Sequence, residues 1–530
     1  MFFISVPKTI ECVLCAVIFA VFYTGCFYKL FGILQSWGYS CTRFAVWSVK
    51  RNNVLWGRHL LLAIMCALVC AVLSLCFSFA GEWAALIGFS AYIIFFVVYA
   101  VADRKVALKV PVAFTPRLKR FCVVLLLVNL VLSYLAICLL NFAQTLLADS
   151  MFGMFKYCIL GIFPLLIVPV TVLANAICKI YEVPHNKSFV KKAKKKLASS
   201  QIKVIGITGS YGKTSTKKIL ADILSEKFKV LSTPRSHNTP MGLALSLNNN
   251  DLNSYDIFIA EMGARHVGDI AELCEMCPPD LAVITGICPQ HLESFGTVEN
   301  IVKAKAEILA NGSDAVIATD CYALFEAYSG GKHHTIEVSD VVCDCNGGTF
   351  NLTLGDEKVK IKTKLLGRHA VDNLALAAKC AYILGMSGEE IAAAIEKIDF
   401  IEHRLQLIKS GGVNILDDGY NSNVKGAAAA LEVLRSFGGG KIAVTPGLVE
   451  LGMLEEKENY HLGEQLVGLD YVILVGETLI SPVRKGYIDN GGDVKALKIV
   501  PTLQAAQEEL KNILKDGDTV LFLNDLPDIY

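Results

Sequence analysis

The sequence carries little charge for its length. Of 530 residues only 19% are Asp, Glu, Lys or Arg, whereas 54% are hydrophobic, and the mean hydropathy is +0.49. This composition argues against an ordinary soluble enzyme, in which about 25% of residues are charged. The formal net charge of +1 hides an uneven distribution, because most of the apolar excess lies before residue 180. The two parts of the chain therefore require separate interpretations.

The cysteines lack the spacing of a structural metal site. There are 18 of them, and the close pairs Cys274/Cys277 and Cys343/Cys345 have no second pair at zinc-ribbon distance. Many of the others lie inside apolar runs, namely Cys66, Cys70, Cys76, Cys122 and Cys138. We interpret the cysteines as small, reduced, buried residues rather than metal ligands or disulfides.

Five apolar segments dominate the first 180 residues, and each approaches the ~20 residues that a helix needs to cross a bilayer. They cover about residues 10–28, 60–80, 84–102, 121–142 and 157–178. The first alone resembles an uncleaved signal segment, but four more follow it. A buried helical core would need amphipathic spacing, and these runs are apolar all round. The sequence therefore predicts an all-α polytopic membrane domain.

The connections between the segments predict an orientation. Residues 29–59 hold five basic residues and residues 103–120 hold six, whereas the other two connections are nearly neutral. Basic loops face the cytosol, so we expect the N-terminus outside a bacterial cell membrane and everything after residue 180 in the cytosol. A transporter is disfavoured, because the segments contain almost no ionisable residues to line a path.

Residues 181–200 read as a basic juxtamembrane linker. The lysines cluster beside the last apolar segment, at positions Lys191, Lys192, Lys194, Lys195 and Lys196. Attraction to anionic headgroups is the interpretation that suits this position. Nucleic-acid binding and a plain solvated charge run are the alternatives, and we expect no nucleic-acid partner.

The stretch KVIGITGSYGKTST, residues 203–216, has the pattern of a phosphate-binding loop. An apolar strand leads into a glycine-rich turn, which is followed by Lys213, Thr214 and a helical pattern. Glycine N–H groups and a helix N-terminus attract phosphate, lysine adds a cation, and the threonine hydroxyl can ligate Mg²⁺. The strict G-x-x-x-x-G-K-[ST] motif lacks its first glycine, because Ile207 stands there with Gly206 one residue early. A glycine-rich turn with a chance lysine is the alternative.

From residue 201 short β-runs alternate with helices, which predicts an α/β domain with a mostly parallel sheet. The run 255–261 ends in Glu261, and the run 280–285 is followed closely by His291. Because ligands bind at the carboxyl ends of parallel strands, both side chains are expected to face the phosphates. The alternatives without a functional role are a surface glutamate and a structural histidine.

Five ordered motifs resemble those of the Mur ligases, closest to the MurF group, which adds D-alanyl-D-alanine. They are GITGSYGKTST (206–216), EMGARHVGDIAEL (261–273), HLESFGTVENIVKAKAEIL (291–309), GRHAVDNLALAA (367–378) and LDDGYNSN (416–423). The resemblance covers roughly residues 201–530, and Mur-type loops are spelled T-G-x-x-G-K-[TS]. It implies an ATP-dependent amide ligase of peptidoglycan and cell-wall synthesis that forms an acyl phosphate.

The resemblance also implies a site around Mg²⁺. Lys213 would hold the β- and γ-phosphates, and Thr214 one Mg²⁺. Glu261 and His291 match metal-binding positions. Lys305 matches a carbamylated lysine that supports a second Mg²⁺, although Lys303 lies close by. Lys213, His291 and Lys305 are the expected catalytic residues.

Further residues are implied for ATP itself. The loop contributes Gly209, Ser210, Gly212 and Ser215. Asn373 matches an adenine contact, while Ala370 replaces an asparagine usual in the family. Arg404 matches an arginine that approaches the phosphates, and Asp418 matches a nucleotide-contacting acid whose neighbour Asp417 is easily confused with it. Asn238 is a weaker candidate for contact with nucleotide or substrate.

Four regions are expected: a transmembrane domain (1–180), the linker (181–200), an ATP-binding central domain of the Mur-ligase P-loop type (201–410) and a Rossmann-like C-terminal domain (411–530). Strands are predicted at 413–417, 441–445 and 471–475, with a helix at 424–437. The C-terminal domain is expected to carry the amine and to close over ATP.

The resemblance implies addition of D-Ala-D-Ala or a related amine to a muramoyl peptide at the cytosolic membrane face. The domain that holds the UDP-sugar in soluble relatives is not recognisable here, so the acyl substrate is either UDP-linked or lipid-linked. The alternatives are a membrane-bound poly-γ-glutamate-type ligase and a non-catalytic scaffold with a nucleotide-binding domain.

Overall fold

A computed structural model describes residues 8–49, 58–80, 83–104, 112–147, 150–328, 331–419, 423–476 and 479–524. Much of both basic connections, motif residues 420–422 and the last six residues lie outside these ranges. The chain forms two compact units, the first comprising residues 1–185 with 527–530 and the second residues 186–526. Each unit has its own core, and each is considered by itself.

The first unit is helical throughout its described residues. Its helices are α1 (Lys8–Gly25), α2 (Tyr28–Ser36), α3 (Cys41–Val49), α4 (Arg58–Cys76), α5 (Trp83–Arg104), α6 (Pro116–Leu147), α7 (Ser150–Phe155) and the start of α8 (Phe163–Ala198), with a 3₁₀ stretch at Lys156–Ile162. Three stretches are long and apolar enough to cross a membrane: Trp83–Ala102, Pro116–Leu147 and Met151–Ala198.

The first two predicted segments differ from the structure. Helix α1 ends at Gly25 and α2 continues at an angle of 54°, so the first segment is a bent pair that counts as one span at most. The second contains only a shorter apolar helix, Leu60–Cys76. Among the described residues the structure therefore offers three spanning helices, or four with the bent pair, where the sequence predicted five.

The two faces of helix α6 differ in exposure and polarity. Leu127, Val131, Leu135 and Leu139 recur every four residues and are 54–66% exposed. On the other face Asn129 is buried, and its Nδ2 donates to Thr24 Oγ1 of α1 at 2.8 Å. A long exposed apolar row with polar groups turned inward is the pattern that lipid as a solvent favours.

Among the described residues of the first unit, one basic side chain is buried, in the nearly neutral connection between the fourth and fifth apolar segments. Lys156 is 7% exposed. Its Nζ donates to Asn141 Oδ1 at 2.5 Å and lies 3.7 Å from Glu11 Oε1, which also accepts a hydrogen bond from the Tyr157 hydroxyl at 2.7 Å. A buried charge is tolerated when it is paired and hydrogen-bonded in this way.

The second unit begins with a parallel sheet of order β2-β3-β1-β4-β5-β6. The expected β-runs are present, with small shifts at their ends. The elements are β1 (Lys203–Thr208), α9 (Lys213–Ser225), β2 (Val230–Ser232), α10 (Pro240–Asn249), β3 (Ile257–Glu261), α11 (Asp269–Met276), β4 (Leu281–Ile284), α12 (Leu292–Phe295), α13 (Val298–Ala306), β5 (Asp314–Ile317), α14 (Tyr322–Phe325) and β6 (His333–His334).

A small antiparallel sheet and two helices complete the central part: β7 (Val338–Asp344), β8 (Gly347–Leu354), β9 (Glu357–Thr363), α15 (Arg368–Ile383) and α16 (Gly388–Lys397). The remaining elements are β10 (Gln406–Ser410), β11 (Val413–Asp418), α17 (Val424–Ser436), β12 (Lys441–Thr445), α18 (Glu455–Gln465), β13 (Tyr471–Val475), α19 (Ile480–Asp489), β14 (Leu497–Val500), α20 (Leu503–Ile513) and β15 (Thr519–Leu523). They form a Rossmann-like sheet of order β10-β11-β15-β12-β13-β14, parallel except at β10.

The stretch predicted as a linker is helical as far as Ala198, because α8 continues through it. Within the second unit Ala193 and Leu197 are buried in the core of the central sheet, at 0% and 8% exposure. Lys194 Nζ lies 2.8 Å from Glu275 Oε1 of α11. Residues 186–198 are therefore an integral part of this unit.

Candidate functional site

The glycine loop follows β1, the strand whose neighbours in the sheet are β3 and β4. Gly212 precedes α9 with φ of +77°, and a Cβ added there would lie 2.6 Å from Asn373 Oδ1. A side chain is thus excluded both by backbone conformation and by space. Lys213 Nζ donates to the carbonyls of Gly209 and Ser210 at 2.7 and 3.1 Å. The lysine consequently lies over the loop, where a phosphate would bind.

Glu261 ends β3 directly beside β1 and is 1% exposed. Its Oε2 accepts a hydrogen bond from Thr214 Oγ1 at 3.1 Å and lies 2.9 Å from Lys217 Nζ, while its Oε1 accepts one from Asn238 Nδ2 at 3.1 Å. The sequence analysis missed Lys217. Its position four residues after Lys213, on the same helix face, was the signal that could have identified it.

Lys305 and Lys303 are distinguished by burial. Lys305 is 2% exposed and borders the same cavity as the loop, whereas Lys303 is exposed. Burial and, to a smaller extent, the charge of Lys213 lower the pKa of Lys305 to about 7, although the carboxylates of Asp269 and Glu307 oppose the shift. A substantial fraction of this amine is therefore neutral at physiological pH.

His291 lies beyond β4 and is paired with a residue from the other side of the cleft. Its Nδ1 contacts Glu450 Oε2, and Glu450 Oε1 lies 3.3 Å from Arg265 Nη2. Burial lowers the pKa of His291 although Glu450 opposes the shift, which favours a neutral imidazole. A carboxylate on Nδ1 is the usual support for a histidine whose Nε2 binds a cation. Neither Glu450 nor Arg265 was identified from sequence.

These groups surround a polar cavity of about 390 Å³. Its walls include most of the predicted phosphate and metal residues, namely Gly209, Ser210, Gly212, Lys213, Thr214, Asn238, Glu261, His291, Lys305 and Arg404. Gln290 also lines it, and its buried Oε1 has no hydrogen-bond partner among the described residues. A buried polar atom without a partner indicates a place where a ligand completes the hydrogen bonding.

A second cavity, of about 330 Å³, shares Tyr211, Gly212, Arg404 and Asn423 with the first. Part of its wall is apolar, formed by Ile219, Leu365, Leu366, Phe400 and Ile401, and it contains the remaining predicted nucleotide residues, Ser215, Asn373 and Asp418, together with Ala370. The Asn373 side chain accepts a hydrogen bond from Thr216 Oγ1 at 3.1 Å. Apolar walls beside a phosphate-binding loop are suited to a nucleoside.

The two acids at the end of β11 have different partners. Asp418 lines the second cavity, and burial raises its pKa to about 6, against the opposing charge of Arg404. Asp417 instead accepts a hydrogen bond from the His403 ring at 2.7 Å. The structure therefore brings Asp418 into the site and leaves Asp417 outside the cavity wall.

The residues fit a magnesium ion that is completed by a ligand. The described residues contain no group of three or more His, Cys, Asp or Glu side chains that would hold a metal alone. Thr214 and Glu261 nevertheless bring two oxygens within 3.1 Å of each other at the phosphate loop. Mg²⁺ is usually held by one or two such protein oxygens plus substrate phosphates and water.

The loop is also tied to the C-terminal sheet domain. Tyr211 donates its hydroxyl to Asp320 Oδ2 at 2.6 Å, and Lys425 Nζ of α17 lies 2.7 Å from the same oxygen. The Lys425 ammonium lies 5.2 Å from the centroid of the Tyr211 ring. The network joins the phosphate loop, the segment after β5 and the first turn of α17.

We expect Lys425→Met to raise the KM for ATP two- to fivefold and to leave kcat within twofold. The ion pair is about half exposed, and such a pair contributes about 0.2–1 kcal/mol. Steady-state ADP release measures the effect. Lys409→Met, which also removes an exposed lysine of the C-terminal domain, is the control. If the KM for ATP is unchanged in Lys425→Met, the contacts among Tyr211, Asp320 and Lys425 do not contribute to ATP binding.

Comparison with known proteins gives consistent matches. Residues 207–381 match the Mur ligase middle domain family, and residues 403–524 match the family described as Mur ligase, glutamate ligase domain. The UDP-N-acetylmuramoyl-tripeptide–D-alanyl-D-alanine ligase of Mycobacterium tuberculosis is 30% identical over 410 residues, which cover 68% of this chain and 79% of that protein. The enzyme of the same name from Escherichia coli is 27% identical, covering 59% and 74%.

Solved structures are similar over the same region. MurF from Thermotoga maritima in complex with ADP matches with a TM-score of 0.57 and 29% identity, covering 64% of this chain and 80% of that one. MurF from Acinetobacter baumannii matches with a TM-score of 0.59 and 25% identity, covering 64% and 77%.

Proposed function

Because this chain belongs to the Mur ligase family of ATP-dependent, ADP-forming amide ligases, we propose that it joins D-Ala-D-Ala or a related amine to a muramoyl peptide. The family resemblance drawn from the sequence motifs is thereby confirmed. The observation that carries the proposal is the polar cavity lined by Lys213, Glu261 and Lys305, which lies beside a second cavity with a partly apolar wall.

In the first step a carboxylate oxygen of the muramoyl peptide attacks the γ-phosphorus of ATP. The bond to the β,γ-bridging oxygen breaks, ADP leaves, and an acyl phosphate forms. Lys213 and Arg404 neutralise the charge that spreads over the phosphate oxygens, and the loop N–H groups hold them in place. No nucleophilic side chain is required, because positioning and charge neutralisation supply the catalysis.

Thr214 and Glu261 would hold Mg²⁺, which would supply neutralisation of phosphate charge. Lys217 forms an ion pair with Glu261 and so holds its carboxylate in position. Lys305 has the low pKa that carbamylation requires, since only a neutral amine reacts with CO₂. The product carries a negative charge in place of a positive one, which suits a second Mg²⁺ near His291.

In the second step the amine attacks the acyl carbon, phosphate leaves, and an amide forms with release of a proton. The C-terminal domain, which reaches the cleft through Asp418 and Glu450, would carry the amine. Closure of such domains excludes water, which would otherwise hydrolyse the acyl phosphate.

The location proposed for this reaction is the cytosolic face of a bacterial cell membrane. Three long apolar helices and the exposed apolar row of α6 support insertion of the first unit. With these three spans, the basic connection at 103–120 predicts an external N-terminus and a cytosolic ligase part. The bilayer is then a partner of the chain, and the ligase domains lie where ATP is available.

An ADP-release screen with the purified full chain tests the function. We expect ADP release to require both a muramoyl tripeptide and D-Ala-D-Ala or a related dipeptide. The mass of the product should exceed that of the acyl substrate by the mass of the amine minus one water. Release that depends on glutamate and a polymer would instead indicate a poly-γ-glutamate-type ligase. Absence of release with every pair, in a chain that still binds ATP, would favour the scaffold.

A further inference from the structure

The second unit contains a groove that the proposed reaction does not use. It has a volume of about 810 Å³ and lies between the last turns of α8, the start of α10 and α11. Four lysines line it, Lys187, Lys191, Lys194 and Lys195, with Val190, Pro240 and Met241 among the apolar residues. All of these residues belong to the second unit.

The charge of the groove is positive after its acids are counted. Glu272 and Glu275 of α11 also line it, and Glu275 is paired with Lys194 at 2.8 Å. Four lysines less two glutamates leave a formal charge of +2. The N-terminus of α10 borders the groove at Pro240 and adds the positive end of a helix dipole. Such a groove suits an anion with more than one charge and an apolar neighbour.

The groove and the catalytic cavity have one lining residue in common. Thr239 lines both of them. Its side chain caps α10 by accepting a hydrogen bond from Gly242 N at 3.3 Å, and the preceding residue, Asn238, donates to Glu261 at 3.1 Å. A substrate that reacts in the catalytic cavity would therefore reach the groove by extending past Thr239.

The length of the acyl substrate matches this arrangement. A tripeptide whose last carboxylate meets ATP extends on the order of 10 Å before its sugar begins, at about 3.3–3.6 Å per residue. The sugar end, with the diphosphate attached to it, consequently lies outside the 390 Å³ cavity. We propose that the lysine groove binds this diphosphate, in an acyl substrate that is linked to a membrane lipid. The inference rests on the proposed function and adds the substrate class.

Chain connectivity favours a lipid-linked substrate over a nucleotide-linked one. Lys187 stands nine residues after Cys178, at the end of the last apolar run. Nine residues reach at most about 30 Å even when fully extended. If α8 is inserted, the groove remains within that reach of the membrane, where the diphosphate of a lipid-linked sugar lies. Val190, Pro240 and Met241 line the groove beside its lysines and provide apolar surface.

Charge reversal in the groove is the test. The full chain is placed in phosphatidylcholine nanodiscs, which carry no net headgroup charge, and ADP release is measured with lipid-linked muramoyl tripeptide. We expect Lys191→Glu and Lys195→Glu each to raise the KM for this substrate at least fivefold and to leave the KM for ATP within twofold. The matched control is Lys192→Glu, because Lys192 is exposed on the same helix and does not line the groove.

Two further substrates make the result specific. A muramoyl tripeptide without diphosphate should be used equally by wild type and all three variants. The UDP-linked tripeptide should be the poorer substrate of wild type in kcat/KM. Equal KM values in Lys191→Glu and Lys192→Glu, equal losses with the truncated substrate, or a loss confined to the UDP-linked substrate would each overturn the inference. Absence of ADP release with every acyl substrate in wild type would instead refute the proposed function.

Discussion

Replacing Lys213 with alanine lowers kcat for ADP release by about 10²- to 10³-fold, the loss expected when a preorganised cation is removed from a developing negative charge. Lys213 lies over the phosphate loop, held by the carbonyls of Gly209 and Ser210. Its charge lines the cavity in which the phosphates are proposed to bind. We expect a smaller rise in the KM for ATP, because the loop N–H groups and α9 continue to bind phosphate.

Lys218→Ala is the matched control for this variant. Lys218 is on the same helix but points to solvent, where it pairs with Asp222 at 2.7 Å. We expect its kcat to remain within twofold of wild type. Melting temperatures of both variants separate a catalytic loss from unfolding. Full activity in a folded Lys213→Ala protein would contradict the proposed role and revive the scaffold alternative.

Replacing Lys305 with alanine, or with arginine, lowers kcat at least 10²-fold if the carbamate supplies the ligand of a second metal ion, a change of the size seen when one electrostatic contact to a transition state is lost. Arginine keeps the positive charge but cannot be carbamylated, so it separates charge from chemistry. Lys305→Glu should recover part of the activity, because it supplies a carboxylate. Lys303→Ala, an exposed neighbour, should remain within twofold of wild type.

The pH dependence follows from the pKa of Lys305, which burial lowers to about 7. Above this pH the amine is mostly neutral and accepts CO₂, whereas below it protonation competes with the carbamate. Activity should therefore fall as the pH drops below about 7, and added bicarbonate should oppose the fall. Carbon-13 NMR in labelled bicarbonate should show a carbamate signal that Lys303→Ala retains and Lys305→Ala loses. Absence of the signal from active wild type would refute carbamylation, and full activity of Lys305→Arg would refute its role in catalysis.

Strand positions were predicted from the sequence more accurately than the side-chain contacts in the site. Strands at 441–445 and 471–475 were predicted with their observed ends, because short apolar runs bounded by turns are a local signal. Motif position favoured Lys305 over Lys303 and Asp418 over Asp417, and burial and cavity position in the structure make the same distinction. Burial depends on which elements pack together, and a motif spacing does not contain that information.

Apart from Lys217, the residues that were missed make contacts between segments far apart in the chain. Glu450 reaches His291 from a loop about 160 positions later in the chain, and Asp320 joins Tyr211 to Lys425. Each is an ordinary polar residue in a loop or a helix end, with no local pattern around it. The small antiparallel sheet β7–β9 was missed as well, because its outer strands β7 and β9 are largely exposed and lack a strong apolar alternation.

The continuation of α8 into the ligase part has a practical consequence for anyone who wishes to prepare that part alone. Lys196 Nζ donates to the carbonyls of Leu247 and Asn248 at 3.0 and 3.3 Å, and Asn248 Nδ2 donates to Phe189 O at 3.0 Å. A fragment cut at the first strand, Lys203, would lose these bonds and expose the surface that Ala193 and Leu197 cover. A water-soluble ligase fragment should therefore start at or before Asn186, keeping the last turns of a helix that sequence alone would assign to a dispensable spacer.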